Sequence, residues 1–237
     1  MPLTKSCFGE EPAEVPLETP NASPVSAVSF APLSRSRYIQ PQQISYDQLC
    51  VDGKRRHKTW DILKSHDAVA VLVLDTDRQA FVLVRQFRAA VFARASEEQR
   101  QRDPSCGFTL ELPAGIVDKP LPLAAIAAEE VLEETGYDSP ASALREITTG
   151  LGNVGMAASA LSLFYLEVDA SMRKTKGGGL LGEGESIEVV YLPLAEAETF
   201  LETKDGGTGF ATGMLAAFYW YFWRSRQPSW QARLSRL

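Results

Sequence analysis

The sequence predicts an α/β fold with a small antiparallel β unit in front of it. Short apolar runs of strand length recur along the chain, and one segment between them has the composition and end signals of a helix. The chain has 237 residues, of which 45% are apolar and 23% are charged. It is therefore long enough to bury a sizeable core, as one large domain with a smaller attachment.

The amino-terminal segment, residues 1–37, is predicted to be a disordered arm. Half of the 14 prolines fall within the first 41 residues, among Ser, Thr and Glu and without strand or helix periodicity. Residues 38–66 change to short β-type runs on either side of a turn at Gly53, which predicts the antiparallel unit. Residues 67–237 are assigned to the main domain.

The main domain opens with two apolar runs, residues 68–75 and 80–87, separated by a polar turn. They predict a hairpin of buried strands. Residues 94–106 are charged and polar, and a loop is expected there. Residues 108–118 predict a strand that runs into a Pro/Gly turn.

The strongest helix prediction covers Pro122 to Gly136, with proline at its first turn and glycine after its last. Strands are predicted at residues 160–168 and 186–194, separated by a glycine-rich segment, residues 176–185. Residues 212–226 predict a helix whose wide aromatic face serves core or dimer packing.

Composition excludes several classes of protein. Thirty acidic residues against 24 basic ones give a net charge of −6, which argues against a sequence-independent nucleic-acid binder. Three cysteines without a CxxC pair support neither a disulfide framework nor a thiolate zinc site. Because no signal-peptide, transit-peptide or membrane-spanning pattern is present, a cytoplasmic protein without a membrane partner is expected. Because the net charge is negative, binding of phosphate groups would require local arginines or a bound metal ion.

The predicted helix carries a cluster of carboxylates. Glu130, Glu133 and Glu134 share one helix face, and a small apolar stripe is expected to pack on the sheet with the carboxylates pointing away. A solvated acidic face is one interpretation of the cluster. The other is a cation site, because like charges at this spacing repel and oppose the helix dipole. Oxygen ligands alone suit Mg²⁺ or Mn²⁺ rather than zinc.

At these residues the chain resembles the Nudix hydrolase superfamily, whose box reads Gly-x5-Glu-x7-Arg-Glu-U-x-Glu-Glu-x-Gly-U, with U aliphatic or aromatic. Two positions depart from the box: Leu121 stands at the first glutamate and Glu129 at the arginine. Flanking segments across residues 57–195 resemble the ADP-ribose and UDP-sugar pyrophosphatase branch, the UDP-glucose type most closely. The positions in register are Gly115, Glu130, Val131, Glu133, Glu134, Gly136 and Tyr137.

The resemblance implies a Nudix α/β/α sandwich with a mixed sheet. It implies Mg²⁺-dependent hydrolysis of a nucleoside diphosphate sugar to a nucleoside monophosphate and a sugar phosphate, with Mn²⁺ as a substitute ion. Glu130 and Glu134 match the principal metal ligands, the backbone carbonyl of Ala114 completes the inner shell, and Glu185 matches an additional ligand.

The resemblance also assigns catalytic and substrate-binding residues. Glu183 matches the catalytic base, and Glu133 is assigned to catalysis with it, as a further ligand or a water-bridged partner. Arg88 matches the family's substrate-contacting arginine, whereas Arg85 is assigned either to substrate binding or to a structural ion pair. Trp60 is expected to stack on the nucleobase, from the partner subunit of the expected homodimer.

The two departures leave alternatives open. Glu129 is expected to repel Glu130 and Glu133, where the family's arginine orients the adjacent glutamate. Activity is expected to survive, at a lower rate or with a greater need for metal. A non-catalytic Nudix-like nucleotide-binding module and an acidic scaffold without a ligand are the competing interpretations.

Overall fold

The computed structural model describes residues 25–31, 36, 38–180, 182, 184–202 and 210–228. Most of the predicted arm lies outside these residues. The described chain forms a seven-stranded mixed sheet and a separate two-stranded antiparallel sheet that precedes it. The predicted α/β fold with an N-terminal antiparallel unit is confirmed.

The small sheet is a hairpin of β1 (Ile39–Leu49) and β2 (Arg55–Ser65). Gly53 takes the left-handed conformation in the turn between them, with φ of 76°, as glycine does at little cost. Most residues of both strands are exposed, so the hairpin projects from the rest of the chain.

Two hydrogen bonds attach the hairpin to the loop at residues 153–158. The indole Nε1 of Trp60 donates to the carbonyl of Gly155 at 3.2 Å, and the backbone N–H of Leu63 donates to the carbonyl of Met156 at 2.9 Å.

The large sheet has the strand order β5-β4-β3-β8-β7, with β6 paired to β3 and β9 paired to β4. β3 and β8 run parallel and the other pairs are antiparallel. The predicted hairpin β3–β4 is confirmed, and β7 was not predicted. The strands are β3 (Ala68–Asp75), β4 (Ala80–Phe87), β5 (Phe108–Glu111), β6 (Ala114–Ile116), β7 (Arg145–Gly152), β8 (Ser159–Val168) and β9 (Ile187–Pro193).

Five α-helices accompany the sheet in the described residues: α1 (Ala89–Arg94), α2 (Glu97–Arg102), α3 (Leu123–Thr135), α4 (Leu194–Glu202) and α5 (Thr212–Ser225). The loop predicted at residues 94–106 is wrong, because the end of α1 and all of α2 occupy most of it. α2 begins with a capping box between Ser96 and Gln99. No helix in the described part of the chain is long and apolar enough to cross a membrane.

Two cores form on the two faces of the sheet. Alternate residues of β3 and β4, such as Val71 and Val82, pack under α3, while Leu72 and Phe81 pack under α5. Phe81 and Phe218 stack with ring centroids 4.7 Å apart. The aromatic helix therefore packs in the core, and the predicted α/β/α sandwich is confirmed.

Candidate active site

A cleft of about 510 Å³ opens where α3 meets β6 and the end of β4. It gathers six of the predicted site residues: Arg88, Ala114, Glu130, Glu133, Glu134 and Glu185. Arg85 and Trp60 do not line it. The remaining lining residues are Tyr38, Ala68, Gln86, Gly115, Ile116, Asp118, Lys119 and Leu180.

The carboxylate face of α3 is turned toward the sheet. Glu134 is only 4% exposed and lies on the packing face with Ala127 and Val131, which are fully buried. Ala127 and Glu134 are seven residues apart, which places them on the same side two turns along the helix. The prediction that the carboxylates point away from the packing face is therefore wrong for Glu134, whereas Glu130 and Glu133 are partly exposed.

Glu134 is held by the backbone of β6. The N–H of Ala114 donates to Oε2 of Glu134 at 3.0 Å. Burial raises the pKa of Glu134 to about 8, against the lowering effect of this hydrogen bond, and the charges of Glu130 and Glu185 add to the rise. The surroundings of Glu134 therefore favour the protonated form of its carboxyl group in the metal-free protein.

Glu130 lies against β6 one turn earlier. Burial raises its pKa to about 7, and the charges of Glu133 and Glu185 contribute. Gly115 makes this approach possible, because a Cβ at that position would overlap the carboxylate of Glu130. Glycine at this position therefore allows the Glu130 carboxylate to lie directly against β6.

The glycine-rich segment is anchored on the end of α3. The N–H of Gly178 donates to the carbonyl of Glu134 at 2.9 Å, and that of Gly179 donates to the carbonyl of Glu133 at 3.1 Å. Residues 177–179 all have positive φ. This run therefore satisfies carbonyls at the helix end that lack a partner within the helix.

The anchored segment leads to Glu185. Oε2 of Glu185 accepts a hydrogen bond from the N–H of Leu180 at 2.9 Å, and the carboxylate raises the pKa of both Glu130 and Glu134. The structure thus brings Glu185 to the cluster as a fourth glutamate. Glu183, the predicted base, lies outside the described residues.

The two predicted substrate arginines lie in different surroundings. Arg88 lines the cleft and donates to both carboxylate oxygens of Glu111, at 2.8 and 2.7 Å. Arg85 is buried, donates to Glu188 at 3.1 Å and lies over the ring of Phe108 at 4.2 Å. Arg85 therefore has the partners of a structural ion pair.

Trp60 lies on the projecting hairpin and is 54% exposed. Its indole N–H donates to the carbonyl of Gly155. Within a single chain the structure does not bring this indole to the cleft.

Glu129 is paired with a cation. Its Oε2 lies 2.6 Å from Nζ of Lys119, and this contact raises the pKa of Lys119, with further support from the charges of Glu133 and Glu130. The negative charge that replaces the arginine of the box thus has a cationic partner in the structure, while the predicted repulsion of Glu130 and Glu133 stays a prediction. Leu121, the second departure, is exposed on the loop before α3.

Sequence reasoning missed several cleft residues, of which Gln86 is the most informative. Its Nε2 atom is buried and has no hydrogen-bond partner within the described part of the chain. The signal was available, because Gln86 and Arg88 are two residues apart at the end of a strand and so point to the same side.

The donor set fits a divalent cation that shares its ligands with substrate. Among the described residues, no group of three or more Asp, Glu, His or Cys side chains forms a complete metal site. Mg²⁺ commonly binds through one or two carboxylates together with waters and substrate phosphates. Two glutamates with raised pKa values, the partly buried Glu130 and the buried Glu134, match that requirement.

Comparisons with known proteins agree with the site. No protein-family model matches the chain. It is 36% identical over 216 residues to the uridine diphosphate glucose pyrophosphatase of Bos taurus, covering 84% of this chain and 94% of the relative. It is 33% identical over 162 residues to the GDP-mannose pyrophosphatase of Cronobacter sakazakii, covering 68% and 77%.

A solved structure shares the fold. The crystal structure of an ADP compounds hydrolase superposes with a TM-score of 0.57 at 16% identity, covering 94% of this chain and 97% of that one. The identity to curated relatives over most of the chain, together with box glutamates gathered in one cleft, leads to a single assignment. The protein belongs to the Nudix hydrolase superfamily, within its ADP-ribose and UDP-sugar pyrophosphatase branch.

Proposed function

We propose that the protein is a Mg²⁺-dependent hydrolase of nucleoside diphosphate sugars, which releases a nucleoside monophosphate and a sugar phosphate. One observation carries the proposal: the partly buried Glu130 and the buried Glu134 line the same cleft, with Glu185 beside them. Like charges held in a poorly solvated place destabilise the free protein, and a bound cation offsets that cost. The pyrophosphatase names of the curated relatives support the same reaction.

Glu130, Glu134, Glu185 and the carbonyl of Ala114 would hold the ion, with Mn²⁺ as a substitute. When bound, it neutralises phosphate charge and lowers the pKa of a coordinated water. Every other task falls to the chain.

Arg88 is placed to bind the diphosphate, since it lines the cleft and its side chain is 44% exposed. Glu111 fixes the plane of its guanidinium through two hydrogen bonds, which orients it before substrate arrives. We assign proton removal from the attacking water to Glu183, with Glu133 assisting from α3. Arg85 is assigned to the structural ion pair.

The proposal includes a homodimer in the cytoplasm. An isolated two-stranded hairpin is marginal in water, and this one exposes Ile44, Leu49 and Trp60. A second copy that covers it brings Trp60 to the partner's cleft, where the indole stacks on the nucleobase. In this scheme residues 38–66 form the dimerisation unit and residues 67–237 the hydrolase domain.

A substrate panel tests the reaction. Nucleoside diphosphate sugars with uridine, adenosine and guanosine bases are incubated with Mg²⁺, and the released phosphomonoesters are measured after phosphatase coupling. Turnover by wild type and its loss in Glu130→Gln are expected. If no sugar is turned over while nucleotide sugars still raise the melting temperature, the protein is a binding module and the catalytic proposal fails.

A further inference from the structure

The cleft holds more negative than positive charge, although its proposed substrate is an anion. Its described lining includes Asp118 and four glutamates, against two cations, Arg88 and Lys119. Arg88 is engaged by both carboxylate oxygens of Glu111. Of the two cations described in the cleft, Lys119 is therefore the one that is held by a single contact.

The contact that holds Lys119 comes from Glu129, one of the two residues that depart from the Nudix box. Nζ of Lys119 lies 2.6 Å from Oε2 of Glu129, and the lysine side chain is 47% exposed. Lys119 lines the cleft, whereas Glu129 does not. Glu129 thus ties a solvent-accessible ammonium group to the middle of α3, beside Glu130, without burying it.

We propose that Lys119 binds a phosphate oxygen of the substrate, and that Glu129 positions it to do so. This inference rests on the proposed function. The ammonium group has three donors, of which the ion pair with Glu129 uses one, so a phosphate oxygen can be bound without breaking the pair. At the box position of the arginine the chain has Glu129, which positions Lys119 of the preceding loop in place of the arginine.

Coulomb's law gives this role a signature that a purely structural ion pair lacks. Removing the charge of Lys119 weakens attraction for an anionic diphosphate and, at the same site, removes a charge that repels a divalent cation. Substrate affinity and metal affinity should therefore move in opposite directions. Damage to the fold would weaken both.

The experiment compares wild type, Lys119→Met, Lys119→Arg and Glu129→Gln, with Lys174→Met, an exposed lysine outside the cleft lining, as a matched control. KM and kcat are measured for the nucleotide sugar turned over fastest, and the Kd for Mn²⁺ alone is measured by paramagnetic titration. For Lys119→Met we expect KM to rise about three- to tenfold, with kcat within about twofold and Mn²⁺ bound at least as tightly. Lys119→Arg should restore KM.

Glu129→Gln removes the tether and leaves the charge of Lys119 in place. The lost tether raises KM, whereas the lost negative charge favours the anion, so KM should rise less than in Lys119→Met while Mn²⁺ binding weakens. An unchanged melting temperature distinguishes this joint change from damage to the fold. Lys174→Met should leave all three constants unchanged. A KM for Lys119→Met within about twofold of wild type, or a parallel loss of substrate and Mn²⁺ affinity, overturns the proposal.

The inference can also be judged if the proposed function fails. Should no nucleotide sugar be turned over, binding of UDP without metal is measured by calorimetry. Weaker UDP binding by Lys119→Met than by wild type then supports Lys119 as an anion ligand of a binding module. Equal binding overturns the inference as well.

Discussion

The backbone N–H of Ala114 donates a 3.0 Å hydrogen bond to Oε2 of Glu134. This contact joins β6 to α3 and fixes a buried carboxylate before any cation arrives. A ligand that is already in position loses little conformational freedom on binding. The same placement makes Glu134 costly for the metal-free protein, which leads to the first prediction.

Glu134→Gln should abolish turnover and flatten the pH dependence of stability. The folded-state pKa, about 8, exceeds the ordinary value of 4.5, so the native state holds more protons than the unfolded state between these pH values. The free energy of unfolding of metal-free protein should therefore fall as pH rises from about 4.5 to about 8. Urea unfolding in EDTA across this range measures the slope.

Some slope should persist in Glu134→Gln, because the raised pKa of Glu130 acts in the same direction. An exposed control, Glu146→Gln, should keep the wild-type slope. An unchanged slope in Glu134→Gln would contradict the burial argument.

Gly115→Ala should disable the site. The new methyl group would occupy the space of the Glu130 carboxylate, so this flexible side chain must turn away from its present position, with little loss of stability but with loss of a proposed metal ligand. Gly150→Ala is the matched control, since a Cβ there meets nothing within 4 Å. Turnover and thermal unfolding of both variants are compared. Equal activity of the two would show that Glu130 does not need its present position.

Arg85→Met and Arg88→Met should separate stability from binding. Arg85 is buried and paired with Glu188, so its loss should lower the free energy of unfolding by about 1–3 kcal/mol. Arg88 lines the cleft, so its loss should raise KM at least about tenfold, and it should also lower the free energy of unfolding because the side chain of its partner Glu111 is only 12% exposed. Steady-state kinetics and urea unfolding distinguish these outcomes, and the reverse pattern would exchange the two assignments.

Gln86→Met should stabilise the free protein while impairing turnover. The buried Nε2 of Gln86 has no partner among the described residues, and an apolar side chain of similar shape removes that cost of about 1–3 kcal/mol. If the amide serves the substrate, the melting temperature rises as kcat/KM falls. A lower melting temperature would show instead that Gln86 is needed for folding.

The strands and the main helix were predictable from local patterns. Apolar runs marked β3 and β4, and proline and glycine marked the ends of α3. The strand β7 was not predicted, because it is mostly exposed and its Thr and Gly residues leave it without an apolar run. The capping box at Ser96 was a local signal for α2 that the charged composition of the segment concealed.

The orientation of the carboxylates was beyond the reach of helix periodicity. A pattern shows which residues share a face, but not that a glutamate faces the sheet. Glu134 tolerates that position because Ala114, 20 residues away in sequence, supplies a hydrogen bond. The Lys119–Glu129 pair likewise spans 10 residues and depends on the path of the loop before α3.

The last turn of α3 joins two parts of the site through one pair of residues. The side chains of Glu133 and Glu134 line the cleft. Their backbone carbonyls accept hydrogen bonds from the amides of Gly179 and Gly178, respectively. These two amides are not metal ligands, but their hydrogen bonds should change when a cation shifts the end of α3. Their resonances in a nitrogen–proton correlation spectrum provide a reporter of cation arrival that requires neither substrate nor turnover.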